Sequence, residues 1–572
     1  MNHWWKSYLI FSSLAIMIPA LAQQAMPRFE NAAGRAGLDF SLLSGSPAKQ
    51  HLPESMSGGV GFIDYDNDGW LDVYLVNGST LEAVREGRPA PGNRLFRNNG
   101  DGAFTDVTGE AGVGDGGWGM GVCIGDVNND GWDDIYVTNI GANVLYLNNG
   151  DGTFRDFSRE SGTDDPSWSS SAAFADYDGD GNLDLYVSNY VEFDANALPF
   201  HGMRIPQGTL ECRYRGISVQ CGPRGLKAQA DRFYRNTGNG VFVDWTEKAG
   251  IAQPRSYYGL GVIWGDYNDD GHPDIFVAND STPNFLFQNN GDGTFTELGL
   301  TSGVAYSADG KEQACMGVDF ADYDNDGRLD IFVTNFSDDT NTLYRNLGDG
   351  RFADVTYTAG LGSLSWQLLG WGAWFVDVDL DGWKDLAFVN GHVYPEVDDY
   401  EIGTSLRQLN SLFRNQGDGT FRDATGSAGP GFQEVRNSRG LAVGDINNDG
   451  QMDLLISNLE ESPTLLVNQS APLGNWILLK LKGTVSNRSA IGARVYVQTG
   501  ELRQMSEVRS GGSYQSQSDL RLHFGLGDSR RIDRIEIHWP SGMRQELRNL
   551  EANRVLTIVE EAPAAGSGLQ AP

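Results

Sequence analysis

Cysteine, basic charge and long apolar runs are all scarce in these 572 residues, and each shortage removes a class of protein. Four cysteines are too few to build a disulfide scaffold in a chain of this length. Lys and Arg number 42 against 76 Asp and Glu, a formal net charge of −34, so the basic footprint of a nucleic-acid-binding protein is absent. One apolar run stands out, Leu9–Ile18, and it is shorter than the roughly 20 residues a membrane span needs. Preceded by Lys6 and followed by Ala20-Leu21-Ala22, it reads as a secretion signal over residues 1–22. No cysteine near that cleavage site suggests a lipid anchor. Nor does the chain carry a nucleophile motif, a catalytic zinc spacing or a phosphate loop. With 40% apolar and 11% aromatic residues it is nevertheless a folding chain, long enough for two or more domains.

What is abundant is aspartate at a fixed spacing. The stretch Asp64-Tyr65-Asp66-Asn67-Asp68-Gly69-Trp70-Leu71-Asp72 recurs at Asp126–Asp134, Asp176–Asp184, Asp266–Asp274, Asp322–Asp330, Asp377–Asp385 and Asp445–Asp453. A unit of about fifty residues with variable loops points to propeller blades rather than a solenoid. In each unit an apolar strand such as Val60-Gly61-Phe62 leads into the loop. A β-forming strand such as Val73–Val76 follows and ends in Asn, at Asn77, Asn139, Asn189, Asn279, Asn335, Asn390 and Asn458. A hairpin then turns on Asn-Gly and Asp-Gly, as in Leu145–Phe154, where positive φ is required. Four strands per unit make a blade.

The hairpin is missing after the seventh loop. Phe29-Glu30-Asn31-Ala32 and Ala36-Gly37-Leu38 repeat the outer-strand pattern of Phe104–Val107 and Ala111–Val113, so the N-terminus is expected to complete the last blade. The fold read from the sequence is all-β. It is a seven-bladed β-propeller over residues 23–470, then a small β-sandwich-like domain over 471–561 and a disordered tail over 562–572. Strands of the small domain are expected at Trp476–Leu481, Ala493–Val497, Ile532–Trp539 and Arg554–Val559.

The loops suit calcium, a hard cation that takes six to eight oxygens. Positions 1, 3, 5 and 9 supply side-chain oxygens, position 7 a carbonyl, and Gly at position 6 permits the sharp turn. The ligands are Asp64, Asp66, Asp68 and Asp72 in loop 1, and Asp126, Asn128, Asp130 and Asp134 in loop 2. Loop 3 has Asp176, Asp178, Asp180 and Asp184, and loop 4 has Asp266, Asn268, Asp270 and Asp274. Loop 5 has Asp322, Asp324, Asp326 and Asp330, loop 6 Asp377, Asp379, Asp381 and Asp385, and loop 7 Asp445, Asn447, Asp449 and Asp453. An EF-hand needs Glu at position 12, where these loops have Leu75, Val137, Val187, Val277, Val333, Phe388 and Ile456. Close carboxylates repel by roughly 1–4 kcal/mol per pair. About seven structural calcium ions would offset that.

The repeat resembles the FG-GAP/VCBS calcium propeller, the architecture of the integrin α-chain head. Integrin heads carry such loops in only some blades, and no inserted ligand-binding domain or leg is visible, so integrin-type ligand binding does not carry over. The C-terminal segment resembles the ASPIC/UnbV domain of the cartilage acidic protein family. The stretches that carry this are Asn487–Arg494, Ser510–Gln517, His523–Gly527 and Trp539–Gly542, with Cys221–Leu226 in the blade-three insert. The resemblance implies an extracellular calcium-binding protein.

Propeller topology puts the Asp loops and hairpins on one face and every long insertion, 78–92, 190–230 and 391–410, on the other. Variable loops on a rigid scaffold carry function. The expectation is a secreted, periplasmic or extracellular binding module for a glycan, matrix component or protein, with Arg224, His392, Tyr394, Arg213 and Tyr214 as its candidate residues. Arg204 and Arg215 add to the basic island, which suits anionic sugars or carboxylates but equally suits pairing with nearby Asp. The alternative is an enzyme of lyase or cyclase type with His392 as acid or base, and Tyr394 and Arg224 beside it. Asp319 and Trp374 are placed to line the central channel, Asp319 equally as a paired buried charge. Cys212 and Cys221 fit a disulfide in an exported chain, whereas Cys123 and Cys315 read as buried small side chains.

Overall fold

The computed structural model describes residues 27–205, 208–470 and 473–561; the expected secretion signal, residues 1–22, and the expected tail, 562–572, lie outside the described residues. Among them the longest α-helix is Leu81–Glu86, started by the Thr80 hydroxyl and ended at Gly87 with φ 63°. Everything else of any length is strand, because runs of alternating Val, Ile, Phe and Tyr are cut by Gly-, Asn- and Asp-rich turns.

Each repeat makes one four-stranded antiparallel sheet in simple meander order. The first consists of Val60–Ile63, Asp72–Leu75, Arg94–Asn98 and Phe104–Asp106. The seventh has Ser438–Gly444, Asp453–Asn458 and Thr464–Asn468, and its outer strand is Phe29–Asn31 from the other end of the chain. Phe29 pairs with Asn468 and Asn31 with Leu466, which gives that sheet its fourth strand and covers the edge of Thr464–Asn468. The first strand of each sheet touches the first strand of the next, and that of the seventh touches that of the first. The strands converge so closely there that a Cβ on Gly317 would sit 2.1 Å from the Trp371 carbonyl oxygen, and one on Gly440 2.2 Å from that of Gly58.

The core lies between successive sheets. Ile63, Tyr74, Val76 and Leu95 of the first meet Val122, Ile124, Ile135 and Val137 of the second. Each fully buried side chain of this kind stabilises by roughly 1.5–3 kcal/mol relative to exposure.

Residues 475–559 build two further sheets. Asn475–Lys482 runs between Leu522–Gly527 and Arg554–Val559. The second has the order Leu502–Glu507, Arg494–Thr499, Arg531–His538, Arg544–Glu551. Three of these strands escaped the sequence reading: Leu502–Glu507, Leu522–Gly527 and Arg544–Glu551. Arg544–Glu551 is an edge strand without a fully buried residue, so it has no apolar alternation to show.

This domain sits on the Asp-loop side of the repeats. Lys480 reaches Asp64 at 2.7 Å, Ser489 bonds Asp133 at 3.1 Å, and Arg494 pairs with Asp269 at 2.7 Å. Leu380 in loop 6 adopts φ 63°, an uncommon choice for leucine, and packs against Trp476 and Leu478.

Candidate metal loops and insertion-face cavity

The Asp loops are turns held by their own main chain. Position 6 is glycine with positive φ in every loop, for example Gly69 at 89° and Gly131 at 93°. The position-1 carboxylate accepts from the N–H of that glycine, Asp64 from Gly69 at 3.2 Å and Asp377 from Gly382 at 2.8 Å. The position-9 carboxylate is a clamp. Asp72 accepts from Tyr65 N–H at 3.1 Å and from Asn98 N–H at 2.8 Å, tying the loop to the third strand. The same two bonds recur at Asp134, Asp184, Asp274, Asp330, Asp385 and Asp453.

With so many oxygens bound to backbone, the remaining ones converge. In loops 1, 3, 5 and 6 the carboxylates at positions 1, 3 and 9 each offer an oxygen, all within 4.8 Å of one another. One buried oxygen in each of these clusters has no hydrogen-bond partner: Asp66 Oδ1, Asp176 Oδ1, Asp324 Oδ1 and Asp379 Oδ1. Burial pushes the Asp72 carboxyl up to about 9 and those of Asp126, Asp176 and Asp322 to about 7, against 3.8 normally, and neighbouring carboxylates add to the effect. Buried, mutually repelling, partly unpartnered oxygens are the donor set a hard divalent cation fits. In loops 2, 4 and 7 the third position is Asn128, Asn268 or Asn447. Each donates its amide to the position-5 carboxylate, Asp130, Asp270 or Asp449, at 2.8–3.0 Å.

Sequence reasoning missed a second set of residues on this face. The third strand ends in Asn98, Asn148, Asn236, Asn289, Asn346, Asn415 or Asn468, all buried. Each side-chain amide donates to the position-2 carbonyl of the preceding loop. Asn148 reaches Tyr65, Asn236 Val127, Asn289 Tyr177, Asn346 Tyr267, Asn415 Tyr323 and Asn468 Val378. Asn98 reaches Ile446 at 2.9 Å, which joins the first repeat to the seventh. The signal was in plain sight, an Asn two residues before each hairpin glycine, but it reads as an ordinary turn residue.

The candidate ligand residues lie on the opposite face, where Cys212 and Cys221 form a disulfide across the insert. Tyr214 is half-buried, with its hydroxyl 2.9 Å from Ser337 Oγ. Its ring packs against Phe336, His392 and Tyr394. His392 does not stand in an accessible loop as the sequence suggested. It is fully buried, Nδ1 accepts from Tyr394 N–H at 3.2 Å, and Nε2 lies 3.2 Å from Ser337 Oγ. Burial first, and then the nearby Arg439 and Arg215, hold its imidazole down at about 3, so it is neutral. It braces the aromatic cluster. Arg213 bonds Glu211 at 3.2 Å, and Arg215 is tied to Asp338, so part of the basic island pairs with acids. Arg224 is exposed and has no ion pair or hydrogen bond among the described residues. Arg213, Arg224 and Tyr394 share the lining of a cavity of about 770 Å³ with Tyr190, Trp371, Met56 and Met316.

Compared with known proteins, residues 64–137, 126–187, 225–277, 266–333, 322–388 and 398–456 match the FG-GAP-like repeat. Residues 483–565 match the ASPIC and UnbV domain. The chain belongs to the FG-GAP-like repeat family. Cartilage acidic protein 1 of Xenopus tropicalis is 28% identical over 348 residues, 59% of this chain and 50% of that protein. The human protein of that name is 26% identical over 323 residues, 55% of this chain and 46% of its own. The chain thus spans about half the length of the curated relatives it matches. A solved structure titled YCF48 bound to D1 peptide covers 79% of this chain and all of its own at 8% identity, with a TM-score of 0.38, too distant to carry an argument.

The centre of the FG-GAP sheets is not a lined channel. A segment of the ASPIC and UnbV domain, 510–518, fills it. Ser513 exchanges both main-chain bonds with Val318, Gln517 bonds Val60 and Phe62, and Gln515 bonds Val122. Asp319 is fully buried and paired with Arg509 at 3.1 Å, and Trp374 lies under the same guanidinium at 5.4 Å. Of the two readings of Asp319, the paired buried charge is the one realised. At the tip, Tyr514 donates to the Met56 carbonyl at 2.8 Å and packs edge-on against Trp371 at 4.8 Å. Cys123 and Cys315 are buried, and burial pushes both thiols up. No helix of the described residues is long and apolar enough to cross a membrane.

Proposed function

We propose that the protein is a secreted, seven-bladed calcium propeller that binds an extracellular glycan, matrix component or protein in the cavity under its blade-three insert. The observation that carries this reading is the inequality of the two faces. The C-terminal domain rests on the Asp loops and fills the centre, leaving about 560 Å³ over loops 1 and 2, while the larger cavity of about 770 Å³ on the insertion side keeps Arg224 free at its rim among the described residues. Rigid aromatic lining with a few polar groups is what ligand pockets use. Glu211, Asp280, Glu312, Asp338 and Asp339 outnumber Arg213 and Arg224 in that lining, which favours neutral or cationic groups on the ligand over a polyanion. The lyase or cyclase reading loses its acid–base residue, since His392 is buried and held neutral. Seven sheets, the Asn bonds that run from each repeat to the one before it, and the orphaned Asp oxygens support the ring and its calcium.

Array screening with glycans and proteins tests the site. Arg224→Ala is expected to weaken the captured ligand by roughly tenfold or more, with melting and metal content unchanged. Capture that survives this change but fails with Arg488→Ala would move the function to the C-terminal domain. Chelation is expected to lower the melting temperature and added calcium to restore it. Protein that holds no calcium and melts alike in chelator would overturn the calcium reading.

A further inference from the structure

The seven loops differ in one ligand, and that difference is matched elsewhere in the repeat. Position 3 is aspartate in loops 1, 3, 5 and 6 and asparagine in loops 2, 4 and 7. The third-strand residue just before the latching Asn divides the same way. It is Arg97, Arg235, Arg345 or Arg414 where position 3 is Asp, and Leu147, Gln288 or Val467 where it is Asn. No repeat breaks the rule. In space the partners meet: Arg235 lies 2.7 Å from Asp178 and 3.2 Å from Asp180, and Arg345 lies 2.7 Å from Asp324. Arg414 joins Asp379 and Asp381. In loop 1 no ion pair joins Arg97 to Asp66 among the described residues, and Lys480 contacts the position-1 carboxylate, Asp64, at 2.7 Å instead.

We infer that the loops form two charge-matched classes of cation site, in which the third-strand arginine is a positioning residue that neutralises the extra aspartate. Counting the four loop ligands and this arginine, either class carries three carboxylates in excess; Arg328 on Asp326 in loop 5 and Lys480 on Asp64 in loop 1 add further cations from outside that set. In loops 3, 5 and 6 the arginine holds the outer oxygens of positions 3 and 5, which leaves the inner oxygen of position 3 toward the centre. In loop 6 that inner oxygen, Asp379 Oδ1, belongs to a side chain only 4% exposed and has no partner. The loops with Asn reach the same state without arginine, because their amide donates to the position-5 carboxylate instead. Calcium is the cation of the function proposed above, and this inference rests on that reading.

Loop 3 provides the test, because Asp178→Asn with Arg235→Gln recreates the Asn268 and Gln288 pair of loop 4. Full-length protein is titrated with calcium and its bound ions are counted by native mass spectrometry. Asp178→Asn alone leaves Arg235 paired only with Asp180, one positive charge more than the Asn-type loops carry, and is expected to weaken one site by roughly tenfold or more, so that one ion is lost at limiting calcium. The double variant is expected to regain it. In chelator, Arg235→Gln alone is expected to melt lower by roughly 1–3 °C, and the double variant to recover. Single effects that simply add, in ion count and in melting, would overturn the inference. Converting loop 4 with Asn268→Asp and Gln288→Arg, at a half-buried position, repeats the cycle in the other direction if a loop 3 variant fails to fold. Wild-type protein without bound calcium would refute the functional reading instead, and melting in chelator would still decide the Asp–Arg coupling.

Discussion

A carboxylate that is buried, near others and short of a partner is stable only if something neutralises it, and the Asp loops are built from such groups. Without metal, the neutralising agent is the proton. Asp72 titrates near 9, Asp126, Asp176 and Asp322 near 7, and Asp266 and Asp445 near 6, all above the 3.8 of an unfolded chain. The folded state therefore binds more protons than the unfolded one across that window. Their contribution is fully present below 3.8 and is lost as pH rises through the folded values. Chelated protein is expected to melt progressively higher as pH falls from about 9 to 5. With calcium bound the trend should flatten or reverse, because protons then compete with the ion. A chelated protein whose melting temperature falls over the same range would contradict this account of the loops.

At the scale of the element, the unit of construction is a sheet plus its latch. Each latching Asn has its amide and carbonyl committed, as Asn98 shows with Leu71 and Ile446 as acceptors and Gly100 N–H as donor. Asn98→Ala strands two buried carbonyls and a turn N–H, at about 1–3 kcal/mol for each group left unmet. The expected result is a lower melting temperature comparable with that of Asn289→Ala, which breaks the equivalent bond to Tyr177. Tolerance of both changes in thermal melts would show that packing alone holds the sheets together.

Much of this element was legible. The Asp loops announce themselves because their ligands are local and evenly spaced, and the outer strand at Phe29 because it repeats a six-fold pattern. The latch was not, since an Asn before a turn carries no mark of a partner in another repeat. Nor were Leu522–Gly527 and Arg544–Glu551, whose composition is set by an interrupting glycine and an exposed edge rather than by a two-sided core. His392 misled for a related reason. A histidine next to glycine and before a proline reads as a loop residue, and only the packing of Tyr214, Phe336 and Tyr394 around it reveals a buried brace.

At the scale of the molecule, the small domain is less an appendage than the hub of the repeats. Residues 510–518 take main-chain bonds from the innermost strands of several repeats, and their side chains are almost wholly buried. Their serines and glycines are small enough to pass between converging strands, and Gln517 and Ser510 bond the Ile124 N–H and C=O. Tyr514 carries the contact through to the far side. Trp371, against which it packs, is held from the other side by the fully buried Arg439 at 4.1 Å, and that tryptophan lines the insertion-face cavity. The two domains should therefore unfold together, and the cavity should feel the plug. Tyr514→Ala removes a buried aromatic ring and a hydrogen bond, a loss of about 3–5 kcal/mol. Calorimetry of the full chain is expected to show one transition, moved down by this substitution, and ligand capture at the Arg224 rim should weaken with it. Two separated transitions, with only the smaller one shifted, would mean that the plug is a passive insertion and that the ring holds its shape without it.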